Sequence, residues 1–192
     1  IMKAIRNVIL SLIAVAACHN VTAQETTGHY FPYPTVPDNL STLTDRSNFF
    51  LENFWNHCNF KSAFSSKSKM QGAFNDFVTF MPYADAAVVH SAIEKLIKEV
   101  GKKPRNLLSL AEMAEGALYS DTAQIVCDEC YLPFAQAVAD NRKISKAEKS
   151  RFEYQAKALG GSQVGMTAPD FEYTTPDGTK GRLSDMPAGA YV

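Results

Sequence analysis

From residue 44 to residue 159 the apolar side chains recur three, four and seven positions apart. That spacing is helical, and short helices are marginal in water unless their apolar faces are buried against one another. Asp45 stands where an N-cap would, and Phe50, Leu51, Phe54, Trp55 and Cys58 follow along one stripe. A second helix is predicted over 69–81, with Met70, Phe74, Phe77, Val78 and Met81 on its face and Pro82 ending it. Asp85 is placed to cap a third, carrying Val89, Ile93, Leu96 and Val100 up to Gly101. A fourth covers 107–119 through Leu110, Met113, Ala114 and Ala117. The fifth is expected to start near Ser120-Asp121 and to carry Ile125, Tyr131, Phe134 and Val138, with Pro133 inside it. In the sixth, Ser145-Lys146-Ala147-Glu148 is a capping box and Gly160-Gly161 the exit. The fold class that follows is mainly α, a bundle of about five or six helices.

Other segments flank this all-α region of residues 44–159. Residues 1–23 read as an export signal: Lys3 and Arg6, an apolar run over 8–17, then small residues. The run is too short to span a bilayer. Val21-Thr22-Ala23 is an ordinary signal-peptidase site, whereas Val15-Ala16-Ala17-Cys18 has the form of a lipobox that would make Cys18 a lipidated N-terminus. The expected location is therefore the periplasm or cell envelope, with membrane association only through such an anchor. Residues 24–43 form a strap, in which Pro32, Pro34 and Pro37 prevent helix and Tyr30, Phe31 and Tyr33 supply aromatic anchors. Residues 160–163 are a Gly/Ser hinge. In 164–192, Phe171 and Tyr173 alternate ahead of Pro176-Asp177-Gly178, which reads as a β-hairpin. Ile1 precedes Met2, and Tyr191-Val192 carries no cap, turn or polar tail, so a longer reading frame is expected.

A net charge of −1 gives no electrostatic case for nucleic acid. Lys143, Lys146, Lys149 and Arg151 lie at helical spacing among Glu148 and Glu153, as on a solvated face. At 46% hydrophobic with twelve Phe, the chain can build a core. Helical spacing assigns Phe49, Phe50, Phe54, Trp55 and Phe60 to packing rather than to a binding groove. No nucleophile triad, phosphate loop or cofactor motif stands out. Cys127-Asp128-Glu129-Cys130 has the thioredoxin spacing, and three readings stay open: a redox pair, a local structural disulfide, or two thiols. The predicted helix places Cys127 several residues inside, beside two carboxylates, which disfavours a reactive thiolate. A metal site would need a second half, and His57-Cys58, His29 and His90 are scattered, so no metal is expected.

The segment running through Gly165, Ala168-Pro169-Asp170-Phe171, Asp177-Gly178 and Leu183-Ser184-Asp185 resembles the opening of the thioredoxin-like fold in envelope thiol–disulfide oxidoreductases and peroxiredoxins. The region before it resembles a helical domain of unknown function that precedes thioredoxin-like domains in bacterial envelope proteins. Tyr30-Phe31-Pro32, Asp45-Arg46, Phe54-Trp55, the helix over 110–119 and residues 148–151 carry that likeness. The resemblance implies an exported oxidoreductase whose strand begins at Ala190-Tyr191-Val192 and whose catalytic cysteines lie beyond Val192, none being within the chain. Its redox partner or substrate would be a protein disulfide met through that further domain. A peroxiredoxin-type peroxidase and a non-catalytic helical binding or dimerisation module are the alternatives.

Overall fold

The computed structural model describes residues 28–123, 125–161 and 170–186. The export signal and Cys18, Ser162 and Gln163 of the hinge, and the strand start at 190–192 lie outside these residues. Among the described residues, six α-helices and a two-stranded antiparallel hairpin follow one another. They fall into two compact units, Ile1–Glu99 and Val100–Val192.

In the first unit, α1 (Leu43–Asn53) is capped by Thr42 rather than Asp45. Thr42 Oγ1 accepts the Asp45 N–H at 3.0 Å and donates to the Asp45 carboxylate at 2.6 Å. The helix ends earlier than its apolar stripe, and Trp55 and Cys58 lie in the turns that follow, with the Cys58 N–H donating to the Trp55 carbonyl. α2 (Lys67–Thr79) buries Met70, Ala73, Phe74, Phe77 and Val78, a stripe at the i, i+3, i+4, i+7 spacing of an amphipathic helix. Pro82 then sits in a 3₁₀ turn, Met81–Tyr83. α3 (Ala86–Val100) carries buried Val89, Ala92, Ile93 and Leu96. Asn48 links α1 to the start of α3: its Nδ2 donates to the Asp85 carboxylate at 2.7 Å and its Oδ1 accepts the Asp85 N–H at 2.9 Å.

The strap lies along this unit, held by polar tips on aromatic rings. Tyr30 donates to the Ala63 carbonyl at 3.0 Å, and Tyr33 donates to Asp76 at 2.7 Å. Phe31 and Tyr33 reach Phe54 at ring-centroid distances of 5.6 and 4.5 Å, and Phe50, Trp55 and Phe77 surround the same ring. Ser47 Oγ and Trp55 Nε1 are buried here without a hydrogen-bond partner among the described residues.

In the second unit, α4 (Pro104–Ala114) begins with proline in its first turn, where the missing N–H costs nothing. It runs on into a π-helical turn, Glu115–Tyr119. α5 (Asp128–Ala139) buries Tyr131, Phe134, Ala135 and Val138, and α6 (Lys146–Gly160) buries Phe152, Ala156 and Leu159. The capping box on Ser145 and Glu148 is formed in both directions. Lys149, read from sequence as part of a solvated face, instead donates to the Ala139 carbonyl at 2.8 Å. A cation there satisfies a last-turn carbonyl of α5 and complements the negative end of its dipole.

The hairpin pairs β1 (Glu172–Thr174) with β2 (Lys180–Arg182), Tyr173 facing Gly181. A Cβ at position 181 would stand 2.7 Å from the Tyr173 ring, so only glycine lets the ring lie across the partner strand. Gly178 has φ +87°, the left-handed conformation that the turn needs and that glycine takes without a steric penalty.

Candidate functional site

The strongest concentration of chemistry among the described residues lies where the π-helical turn meets α5. Asp128 is the first residue of that helix, so Cys127 is its N-cap rather than an interior residue. The Cys127 N–H donates to the Leu118 carbonyl at 2.9 Å, and the Cys127 carbonyl accepts from Tyr131 N–H at 3.0 Å. These main-chain bonds set the cysteine at the end of the helix. Cys127 and Cys130 are joined as a disulfide, with Cα atoms 5.2 Å apart. The Cys130 N–H also points at Cys127 Sγ, 3.2 Å away. Both cysteines are half-buried, and Val126 just before them is 68% exposed.

A polar chain starts from Tyr131, the residue after Cys130, and runs outward to Arg151. Tyr131 is fully buried and donates through its hydroxyl to Gln155 Oε1 at 2.7 Å. Gln155 Nε2 donates to Glu115 at 2.7 Å, and Arg151 approaches the other oxygen of Glu115 at 3.3 Å. Tyr119 stacks on the Tyr131 ring at 4.7 Å. Sequence spacing gave no sign of this chain, because its members come from three elements.

Among the described residues, the remaining cysteine and the histidines do not converge. His57 is exposed, Cys58 is a free, half-buried thiol, and His90 lies 3.5 Å from Glu94 on α3. His29 does acquire neighbours, stacking on Tyr33 at 4.1 Å and approaching Asp76 at 3.8 Å. Among the described residues no three potential metal ligands of the His, Cys, Asp and Glu types come together.

Burial pushes the Cys58 thiol up to about 12 and also raises the Tyr33 phenol, which the hydrogen bond to Asp76 raises further. The Tyr131 phenol is raised by burial and then by the Glu115 carboxylate. Each group is neutral when protonated, so the folded chain holds these protons more tightly than the unfolded chain does. Their contribution to stability is complete below the ordinary values of 9.0 and 10.0 and is lost as pH climbs past them. The urea midpoint is therefore expected to fall between about pH 9 and pH 11, and Cys58→Ser to remove the earliest part of that fall. A midpoint that stays level to about pH 11 would refute this account.

At the hairpin, Asp170 accepts the Ser184 N–H at 2.9 Å and its hydroxyl at 3.2 Å, with Arg182 Nε 3.4 Å away. The Ser184 backbone N–H is the first cause that holds the Asp170 carboxyl below its ordinary pKa. Two separate pieces of the segment that resembles a thioredoxin-like opening, Asp170 and Ser184, are thus tied to each other. Thr175 donates to Asp177 at the turn, which holds that carboxyl below its ordinary value as well.

Residues 15–160 match the domain of unknown function DUF5106. Among solved structures, the chain is similar to a thioredoxin-like protein from Bacteroides caccae, with a TM-score of 0.68 and 21% identity. The likeness, which is one of fold, covers 83% of this chain and 58% of that one. No curated protein matches. Because the match spans most of the 192 residues, the chain belongs to the DUF5106 family.

Proposed function

We propose that this chain is the N-terminal part of an exported thioredoxin-like thiol–disulfide oxidoreductase, with the helical domain ahead of a redox domain whose cysteines follow Val192. The observation that carries the reading is the hairpin, in which Asp170 joins the start of the ribbon to Ser184 at its end. Support also comes from the fold likeness to a thioredoxin-like protein of which this chain spans 58%. The chemistry is thiol–disulfide exchange: a thiolate of the redox domain attacks a protein disulfide, and a second cysteine releases the product. Delivery to the periplasm or envelope rests on the leader over 2–23, either cleaved after Ala23 or lipidated at Cys18.

The test is to assay the protein with its sequence extended past Val192 on insulin disulfides and on hydrogen peroxide. Insulin reduction that disappears when the downstream cysteines become serine is the expected result. Peroxide consumption through a single downstream cysteine would replace this reading with a peroxidase. Neither activity would leave a binding or dimerisation module.

A further inference from the structure

We propose that Cys127 and Cys130 are a thiol–disulfide exchange centre of the helical domain itself, opened by a protein dithiol. The proposal goes beyond the function proposed above, whose cysteines lie elsewhere, and it stands on the α5 terminus alone.

The first argument is that the bridge has little structure to hold. A disulfide stabilises chiefly by closing a loop, and its effect grows with the length closed. This one spans a sequence separation of only three, and its Cys127 end is already fixed by main-chain bonds from Cys127 to Leu118 and from Tyr131 to Cys127. Those bonds do not depend on the sulfurs being joined.

The second argument is what the helix offers the opened pair. Cys127 caps a helix of twelve residues, and its sulfur faces the Cys130 N–H at 3.2 Å. The unpaired N–H groups of a first turn and the positive end of the helix dipole favour a thiolate at that position. Asp128 and Glu129 oppose it, but both are exposed, where water and salt screen them. The third is access. Both sulfur-bearing residues reach the surface, and Val126 beside them is an exposed apolar contact for a partner's peptide. Cys58 has none of this, being a thiol held protonated by burial.

In the exchange, a thiolate of the donor attacks Cys130 Sγ and the S–S bond breaks, with Cys127 leaving as thiolate. The donor's second thiol, once deprotonated, attacks the mixed disulfide and frees Cys130. The donor departs as a disulfide, and the pair keeps two electrons and takes up two protons.

The test titrates the whole chain in glutathione buffers, and separately with reduced thioredoxin as the dithiol probe. Peptide mass spectrometry after alkylation reads each cysteine, and circular dichroism follows the helices. Thioredoxin is expected to open the bridge at least about tenfold faster than glutathione at equal thiol concentration, without loss of helical signal. Limiting iodoacetamide is expected to label reduced Cys127 about tenfold faster than Cys130. A bridge that stays closed to thioredoxin overturns the proposal whatever the helices do, as does equal labelling of the two thiols. Because no substitution is needed, misfolding of a variant cannot obscure the answer. Failure of the insulin assay would leave this result untouched, and the reverse holds too.

Discussion

Replacing Phe54 with alanine is expected to lower stability by about 3–5 kcal/mol, the range for deleting a fully buried aromatic ring. Phe54 has no exposed surface, and the rings of Phe31, Tyr33, Phe50, Trp55 and Phe77 lie 4.5–5.6 Å from its centre. Two of those rings belong to the strap, one to α1 and one to α2, so the cavity would loosen the ring contacts of all three at once. Phe54→Leu keeps most of the volume and should cost about 1–2 kcal/mol. The chain has a single tryptophan, and its ring is 4.7 Å from Phe54, so its fluorescence in a urea titration reports on this unit directly. A loss under about 1 kcal/mol for the alanine variant would mean that the strap collapses into the gap and that Phe54 is not the centre of the cluster.

Tyr131 is the corresponding residue of the second unit, and there the loss separates into two parts. Tyr131→Ala removes a wholly buried ring that also stacks on Tyr119, and a cost of about 3–5 kcal/mol is expected. Tyr131→Phe removes only the hydroxyl, leaving Gln155 Oε1 without its donor, and about 1–2 kcal/mol should go. Gln155 keeps its bond to Glu115, so the two-part subtraction isolates the phenol–amide bond. Denaturant unfolding followed by far-ultraviolet circular dichroism measures both. Equal losses for the two variants would show that the hydroxyl, not the packing, holds α5 against α6.

Where the sequence spoke clearly, it did so through local chemistry. Ser145 and Glu148 announce a helix start because both halves of the box lie within four residues. Met70, Phe74, Phe77 and Val78 announce the α2 face because the stripe has no gap. The start of α1 was misplaced by three residues because Thr42 and Asp45 both have capping side chains, and only the fold decides which is used. The error that matters most is at Cys127. Ser120-Asp121 offers capping side chains and no glycine or proline interrupts 120–127, so the helix is expected to begin there, although Ile125, six and nine residues ahead of Tyr131 and Phe134, lies off their stripe. Cysteine is also a rare N-cap, so nothing local marked the true start. The polar chain from Tyr131 through Gln155 to Glu115 was invisible for another reason: it joins residues up to 40 positions apart.

The ribbon at the end of the described chain has an implication for handling this protein. Each strand is three residues long and pairs only with the other among the described residues, while Phe171 stays 51% exposed. Two strands alone are barely stable in water, and their outer flanks present bare amide and carbonyl groups. Such an edge is completed either by a further strand of the same polypeptide or by a neighbouring molecule. Preparations that lack the former should therefore be watched for concentration-dependent clumping, with a lysine introduced on the outer flank as the natural remedy.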